Sequence, residues 1–234
     1  PTSYAMVEQL LKDPSLQLEN LFVDFSFVKD ISRYLGSDKS HYWITPNQYF
    51  NTLEMIIHSN KKPLIKYDLG TQYSIALFNK YVSYGQPVFL YEDKKTNISN
   101  YELKAAGYYS LDYQLKYHPT ERLRESRTNF LNQTLNIKIP TTKEYDKKVT
   151  TSNKGLQNRI EKLITLANSK QINLIFFLQP STEFSEVYSD FILTIPKKQR
   201  IDLTNNKAAD SLKNYFDYSH FNDQGATALS LLLA

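Results

Sequence analysis

The chain has 234 residues, of which 41% are hydrophobic, so it can bury the core of one α/β domain with an insertion or of two small domains. Its 28 basic and 24 acidic residues nearly balance, and the resulting net charge of +4 argues against a nucleic-acid partner or attraction to an anionic membrane. The absence of cysteine excludes disulfides and thiolate metal sites, and no apolar run approaches the ~20 residues of a membrane-spanning helix.

The N-terminal part predicts a helix, a strand and a second helix. Residues 3–12 favour a helix that stops before Pro14, and residues 20–24 form a short apolar run typical of a buried parallel strand. The segment Thr45-Pro46-Asn47-Gln48 is a capping box with proline at the first helical position, so a helix begins there. The first helix is predicted to bury Met6, Val7, Leu10 and Leu11.

Residues 61–150 contain many tyrosines and few long apolar runs, which predicts an irregular insertion or cap with one amphipathic helix over 121–131. The arginines of that helix are predicted to form a solvated face; they are Arg122, Arg124 and Arg127. The tyrosines are consistent with a sugar-binding cleft, because aromatic rings stack on pyranose faces. They are equally consistent with half-buried packing inside the insertion, and that interpretation is favoured.

The C-terminal part alternates helices and strands. Ser152 is predicted to cap a helix, residues 173–178 form the clearest buried strand, and residues 200–203 favour a further short strand. The inner face of the helix is predicted to contain Leu156, Ile160, Leu163, Ile164 and Ala167. This alternation predicts a layered α/β fold with parallel pairing, whose chemistry gathers beyond the carboxyl ends of the strands. Gln179 and Ser181, which follow the clearest strand, are therefore candidates for substrate binding.

The last loop carries the residues with the strongest chemical meaning. Asp217 and His220 are three residues apart, and Asn222 is a good N-cap for a final helix in which Gly225 allows close packing. In an acyl-transfer site, a histidine accepts the proton of a hydroxyl nucleophile while a carboxylate fixes its tautomer. The alternative is that Asp217 caps a turn and His220 is a partly exposed loop residue.

The sequence Asp217-x-x-His220-Phe221-Asn222-x-x-Gly225-Ala226 near the C-terminus resembles the last block of the SGNH (GDSL-like) hydrolases. It is most similar to the envelope branch related to alginate O-acetylation and teichoic-acid D-alanylation proteins. The resemblance implies a three-layer α/β/α fold with a central, mostly parallel sheet, formed as a single domain over residues 1–234 with the insertion at 61–150. It also implies Asp217 as the orienting acid and His220 as the general base of a Ser-His-Asp triad.

The same resemblance raises the question of the nucleophile. Family members carry it in a Gly-x-Ser turn, which here falls upstream of residue 1, so the chain is expected to be N-terminally truncated. The strand at 20–24 corresponds to the block that supplies an oxyanion-stabilising Asn, but Asp24 stands at the Gly position and Ser26 at the Asn position. Ser26 is thus the oxyanion candidate. Within the chain, Ser74 and Ser181 lack a Gly-x-Ser-x-Gly elbow.

These observations favour an SGNH-like serine esterase or O-acyltransferase acting on an acylated carbohydrate or other ester of the cell envelope. No cofactor and no metal are expected. The resemblance implies an extracytoplasmic location and, as partners, a small-molecule or glycan ester substrate and a membrane-bound acyltransferase. The alternative is a non-catalytic protein of the same fold that binds a glycan or a partner. A nucleic-acid binder that stacks bases on tyrosine is disfavoured by the interspersed acidic residues.

Overall fold

The structure, a computed structural model, describes residues 2–25, 44–82, 110–133, 153–180, 185–204, 211–218 and 220–233. Within these ranges the chain is mixed α/β, with a small three-stranded parallel sheet, which confirms the predicted α/β class. The helices are α1 (Thr2–Lys12), α2 (Pro46–His58), α3 (Pro63–Val82), α4 (Leu111–Tyr117), α5 (Glu121–Gln133), α6 (Lys154–Ser169), α7 (Ser185–Thr194) and α8 (Asp223–Leu231). The strands are β1 (Asn20–Asp24), β2 (Asn173–Leu178) and β3 (Arg200–Asp202).

The sheet has the order β1-β2-β3, and the strands lie where the apolar runs predict them. β1 and β2 pair in parallel, with Asn20 opposite Asn173 at the start and Asp24 opposite Phe177 at the end. The residue after β1, Phe25, is buried and lies 6.2 Å from the ring of Phe176 and 5.1 Å from that of Phe191. This aromatic cluster therefore packs β1 and β2 against α7.

Helix α6 buries all five residues of its predicted inner face. Its N-cap is Asn153 rather than the predicted Ser152, which lies outside the described residues; the Asn153 side chain accepts from the backbone N–H groups of Gly155 and Leu156. A Cβ added at Gly155 would lie 2.3 Å from the carbonyl oxygen of Met55. The glycine therefore lets the start of α6 approach the backbone of α2 closely.

The predicted inner face of α1 is wrong in part. Met6 and Leu10 are 56% and 40% exposed, whereas Glu8 is buried. The buried side of the helix consists of Tyr4, Ala5, Val7, Glu8 and Leu11. An acidic residue occupies this face because its carboxylate meets an arginine there, which an apolar pattern alone does not show.

A buried polar cluster joins α1, α2 and α6. Glu8 Oε2 accepts from Arg159 Nη2 at 2.6 Å and from Gln48 Nε2 at 2.9 Å, while the same arginine nitrogen lies 3.0 Å from Gln48 Oε1. The capping box at the start of α2 is consequently half formed. Thr45 Oγ1 accepts from the backbone of Gln48 at 3.2 Å, but the Gln48 side chain is directed into the cluster.

Residues 61–150 contain more regular structure than their sequence predicts. The helix expected over 121–131 is confirmed as α5, and α4 and the 20-residue α3 are additional. The chain divides into two compact units. The first comprises residues 1–92, 148–178 and 186–201, and the second comprises residues 93–147, 179–185 and 202–234.

Candidate active site

The C-terminal loop of the second unit is held at both of its ends. Tyr215 and Phe221 form an isolated antiparallel bridge, and their rings lie 4.6 Å apart. Asn222 is the N-cap of α8, as predicted: its side chain accepts from the Gly225 N–H at 2.9 Å, and its own N–H donates to Asn214 O at 2.9 Å. Residues 215 and 221, which lie on either side of Asp217 and His220, are therefore held together.

Asp217 and His220 lie together in this loop. His220 Nδ1 is 2.8 Å from Asp217 Oδ1, and the backbone N–H of His220 donates to the same oxygen at 3.0 Å. The carbonyl oxygen of His220 in turn accepts from the N–H of Phe216 at 2.8 Å. The side chain of Asp217 is 12% exposed and that of His220 is 61% exposed. The carboxylate is thus sheltered, and the imidazole extends from it towards solvent.

The arrangement selects one tautomer of the neutral imidazole. Because a carboxylate only accepts hydrogen bonds, Nδ1 carries the proton and Nε2 presents its lone pair. No hydrogen bond from Nε2 to another described residue is present. A group in this state is a proton acceptor whose orientation is set by its acid.

The carboxylate also changes the proton affinity of the histidine. The hydrogen bond that His220 donates to Asp217 raises the pKa of His220 above its usual 6.5, burial opposes that rise, and the negative charge of Asp217 adds to it. The net rise means that Asp217 stabilises the imidazolium form. Stabilisation of the imidazolium is what a general base requires after it has taken a proton.

Helix α5 supports the pair from its buried side. Ser126 Oγ donates to the second carboxylate oxygen of Asp217 at 3.2 Å. Arg127 Nη1 donates to the carbonyl oxygens of Tyr215 at 2.8 Å and Phe216 at 2.7 Å, and its guanidinium lies 5.2 Å from the Phe216 ring centre. α5 therefore binds the two residues that precede Asp217 as well as Asp217 itself.

The prediction that Arg127 is solvated is wrong, whereas Arg122 and Arg124 are exposed as expected. Further along the same helix, Phe130 packs edge-on against the Tyr218 ring at 5.4 Å, and the Tyr218 hydroxyl bonds to Gln133. Residues 126, 130 and 133 share one side of a helix. Their spacing in the sequence could have indicated the face of α5 that supports the loop. A search for apolar residues alone does not detect this face, because Ser126 and Gln133 are polar.

The remaining candidates are not brought into this cluster by any described contact. Gln179 is half-buried directly after β2, while Ser26 and Ser181 lie outside the described residues. Ser74 is exposed on α3, where its hydroxyl bonds to Tyr49 Oη and to Gly70 O, each at 2.8 Å. In the part of the chain that the structure describes, no histidine bonds to the Ser74 hydroxyl.

Among the described residues, no group of three or more His, Cys, Asp or Glu side chains is placed to hold a metal ion. In the same ranges, no helix is both long and apolar enough to span a bilayer. Comparison with protein-family models, with curated proteins and with solved structures gives no match for this chain. The chemistry of the Asp217–His220 loop is therefore the main indication of function.

Proposed function

We propose that the chain belongs to an SGNH-like serine esterase or O-acyltransferase of three-layer α/β/α fold that acts on an acylated carbohydrate or other ester of the cell envelope. The observation that carries the proposal is the 2.8 Å contact between His220 Nδ1 and Asp217 Oδ1, in a loop that the same carboxylate oxygen holds closed. The parallel α/β sheet and the sequence of the final block support it.

In this proposal His220 is the general base. Nε2 removes the proton of a serine hydroxyl as that oxygen attacks the ester carbonyl carbon, and a tetrahedral oxyanion forms. Collapse of the oxyanion breaks the bond to the leaving alcohol, which takes the proton from the imidazolium. Water or an acceptor hydroxyl then repeats the sequence on the acyl-serine, and the serine regains its proton. Asp217 remains ionised and stabilises the imidazolium in both halves of the reaction.

The nucleophile is proposed to be the serine of a Gly-x-Ser block N-terminal to residue 1. Ser26 is proposed as an oxyanion donor, and Gln179 and Ser181 as substrate-binding residues. The exposure of the His220 side chain, 61%, suits an ester carried on a large glycan, because such a substrate reaches a surface imidazole without entering a deep pocket. The envelope location and a membrane-bound acyltransferase as partner are parts of the same proposal.

The second candidate is a non-catalytic glycan- or partner-binding protein of the same fold. The specific observation that favours it is Asp24 at the end of β1, where the corresponding hydrolase block has glycine, together with Ser26 in place of the asparagine. Loss of one oxyanion donor costs about 10²–10³ in rate. A protein with that loss can retain the acid–base pair as a structural hydrogen bond.

Turnover of an aryl acetate by the full-length protein tests the proposal. Removal of a triad histidine lowers kcat by a factor of at least about 10³, so we expect His220→Ala to lose nearly all activity. His58→Ala is the matched control, because His58 is an exposed histidine at the end of α2. Equal turnover by the wild-type protein and His220→Ala would show that His220 is not the general base. Absent turnover combined with specific binding on a glycan array favours the second candidate.

A further inference from the structure

Helix α3 is apolar on the side that faces away from its core. Its inner side buries Leu69, Tyr73 and Ala76. The opposite side, called here the outer face of α3, consists of Leu64, Tyr67, Thr71, Ile75, Phe78 and Val82. Leu64, Tyr67 and Phe78 are 79%, 75% and 59% exposed. A helix of a globular protein normally presents polar residues on this side. Nothing in the described part of the chain covers the outer face.

The apolar surface continues onto α2. Ser74, at the edge of the outer face, bonds to the Tyr49 hydroxyl, and the Tyr49 ring lies 5.5 Å from that of Phe50, which is 65% exposed. Six large apolar side chains thus form one surface. Three of the six are aromatic side chains, which can bury about 150–250 Å² each, and these three are 59–75% exposed. Covering the whole surface therefore buries on the order of 600 Å² per copy, so a symmetric pair reaches roughly the 1,200 Å² at the lower end of specific interfaces.

The charges of α3 do not suit a lipid surface. Lys66 Nζ donates to Ile57 O at 2.7 Å, and Lys80 Nζ donates to Ile44 O at 2.6 Å, so both ammonium groups are held against carbonyl oxygens of their own chain. The charged residue beside the outer face is Asp68, which an anionic bilayer would repel. Interfacial helices instead present lysine and arginine around their apolar side.

The distribution of side-chain size suits a second helix. Three small residues lie in the middle of α3: Gly70, Thr71 and Ser74. Ile75 is the bulky outer-face residue near the middle, and the others lie towards the two ends of the helix: Leu64, Tyr67, Phe78 and Val82. The axes of packed helices lie about 8–10 Å apart, depending on the side chains at the contact, so small residues in the middle favour a close approach. A two-fold axis near residue 73 would place Leu64 of one copy beside Val82 of the other, with Tyr67 beside Phe78. The surface is therefore complementary to itself in the antiparallel direction.

We propose that the outer face of α3 is the interface of a two-fold dimer of this chain, in which the two α3 helices pack antiparallel. The inference is independent of the proposed catalytic function, because it rests on residues of the first unit alone. It requires only that a second copy covers the outer face of α3.

Sedimentation equilibrium over a range of concentrations tests the dimer. A charge at the centre of an interface occurs twice in a symmetric pair, so Ile75→Glu should weaken self-association by at least about a hundredfold. Leu131→Glu is the matched control, since Leu131 is an equally exposed aliphatic residue of α5, with 53% exposure against 54% for Ile75. Circular dichroism establishes that both variants are folded. A wild-type protein that is monomeric at every concentration, or an Ile75→Glu variant that associates like wild type, overturns the proposal.

Crosslinking tests the direction of the helices. The chain has no cysteine, so a single introduced thiol reports only its own neighbour. With a short bis-maleimide, Ser74→Cys near the axis should give a covalent dimer, and Leu64→Cys at the end of the helix should not. Equal crosslinking at both positions overturns the antiparallel arrangement. Flotation of the wild-type monomer with anionic vesicles, abolished by Ile75→Glu, would assign the surface to lipid instead and overturn the dimer.

Discussion

At the scale of single residues, Asp217 determines what His220 can do. The carboxylate oxygen that fixes the imidazole through Nδ1 also receives the backbone N–H of His220. One atom thus sets both the ring orientation and the path of the chain. The backbone contact requires the acid and the base to be close in sequence, and only two residues separate them.

Replacement of Asp217 should lower the pKa of His220. Asn cannot stabilise the imidazolium as a carboxylate does, and burial, which already opposes protonation, then acts without compensation. The chemical shift of the His220 ring protons, followed by NMR against pH, should give a lower midpoint in Asp217→Asn than in wild type. Ser126→Ala, which removes only the contact to the second carboxylate oxygen, is the control and should change the midpoint less. An unchanged midpoint in Asp217→Asn would contradict the role given to the carboxylate.

The raised pKa of His220 also determines how the stability of the fold depends on pH. Since the folded-state pKa of His220 is raised above 6.5, the contact stabilises the fold fully below pH 6.5 and loses this contribution as pH rises through the folded-state pKa. Catalysis has the opposite dependence, because a general base must be neutral. Activity should increase with pH across the interval in which the contact ceases to add stability.

Sequence alone predicted the pair at this scale but not its support. The block that contains Asp217 and His220 indicates the pair, whereas their spacing alone also fits a turn capped by Asp217. Asn222 follows from cap chemistry. Arg127 does not follow, because an arginine on a charged helix is usually solvated. Its double contact with the carbonyl oxygens of Tyr215 and Phe216 depends on residues almost 90 positions later in the chain.

At the scale of elements, α8 can approach residue 214 because position 225 is a glycine, which has no side chain. A Cβ at Gly225 would lie 2.1 Å from the carbonyl oxygen of Asn214 and 2.8 Å from the ring of Phe221. The backbone oxygen cannot move without disturbing the bond that it accepts from the N–H of Asn222. The small residue therefore keeps the His220 loop against its helix.

Gly225→Ala should lower the free energy of unfolding by about 1–3 kcal/mol, because the added methyl group overpacks a rigid contact. Gly70→Ala is the matched control on another helix. Its Cβ would meet only Leu53 Cδ2, at 3.9 Å, so the substitution should stabilise the protein by about 0.5–1 kcal/mol through helix propensity. Urea unfolding of the two variants measures both changes. Equal stabilisation by both substitutions would contradict the close approach at Gly225.

Strands and capped helices were predictable as elements because their signals are local. β1 and β2 have the predicted bounds, and Thr45 and Asn222 cap their helices as expected. Helix α3 escaped prediction because its outer and inner sides are both apolar, which leaves no contrast between one side and the other. The prediction of the buried side of α1 was wrong in part for a related reason, because Glu8 is polar but buried.

At the scale of the whole molecule, the buried cluster of Glu8, Gln48 and Arg159 joins helices that are far apart in sequence. The side chains of Glu8 and Arg159 are 6% and 4% exposed. Water therefore reaches neither charge, and each charge is compensated by the other. Burial alone would raise the pKa of Glu8, but the hydrogen bonds from Lys12 and Arg159 outweigh it and hold the pKa below its usual value. The cluster is therefore ionised and internally satisfied.

Arg159→Met should destabilise the first unit by about 3–5 kcal/mol, because it removes the buried cation from a buried carboxylate and leaves only the half-exposed Lys12 beside it. Chemical denaturation near pH 7 measures the loss. The lowered pKa of Glu8 means that its contribution is complete above pH 4.5 and disappears as pH falls through the folded-state value, so the difference between wild type and variant should narrow in acid.

The control is Lys162→Ala, which removes an exposed ion pair with Glu54. Both partners of that pair are more than a third exposed, so the change should be below about 1 kcal/mol. A comparable loss in the two variants would show that burial does not distinguish them. Such a result would contradict the conclusion that the buried cluster of Glu8, Gln48 and Arg159 stabilises the packing of α1, α2 and α6.

The contacts that orient His220 within its loop run between residues 215 and 221. The bridge from Tyr215 to Phe221, the bond from Phe216 to the carbonyl of His220, and the two bonds onto Asp217 Oδ1 are all local. The contacts from Ser126 and Arg127 of α5 are the non-local part of this support. A transfer of the loop to a different scaffold, placed before a helix with glycine at the third helical position, would therefore orient an imidazole in the new host only if a neighbouring helix supplied the same serine and arginine contacts.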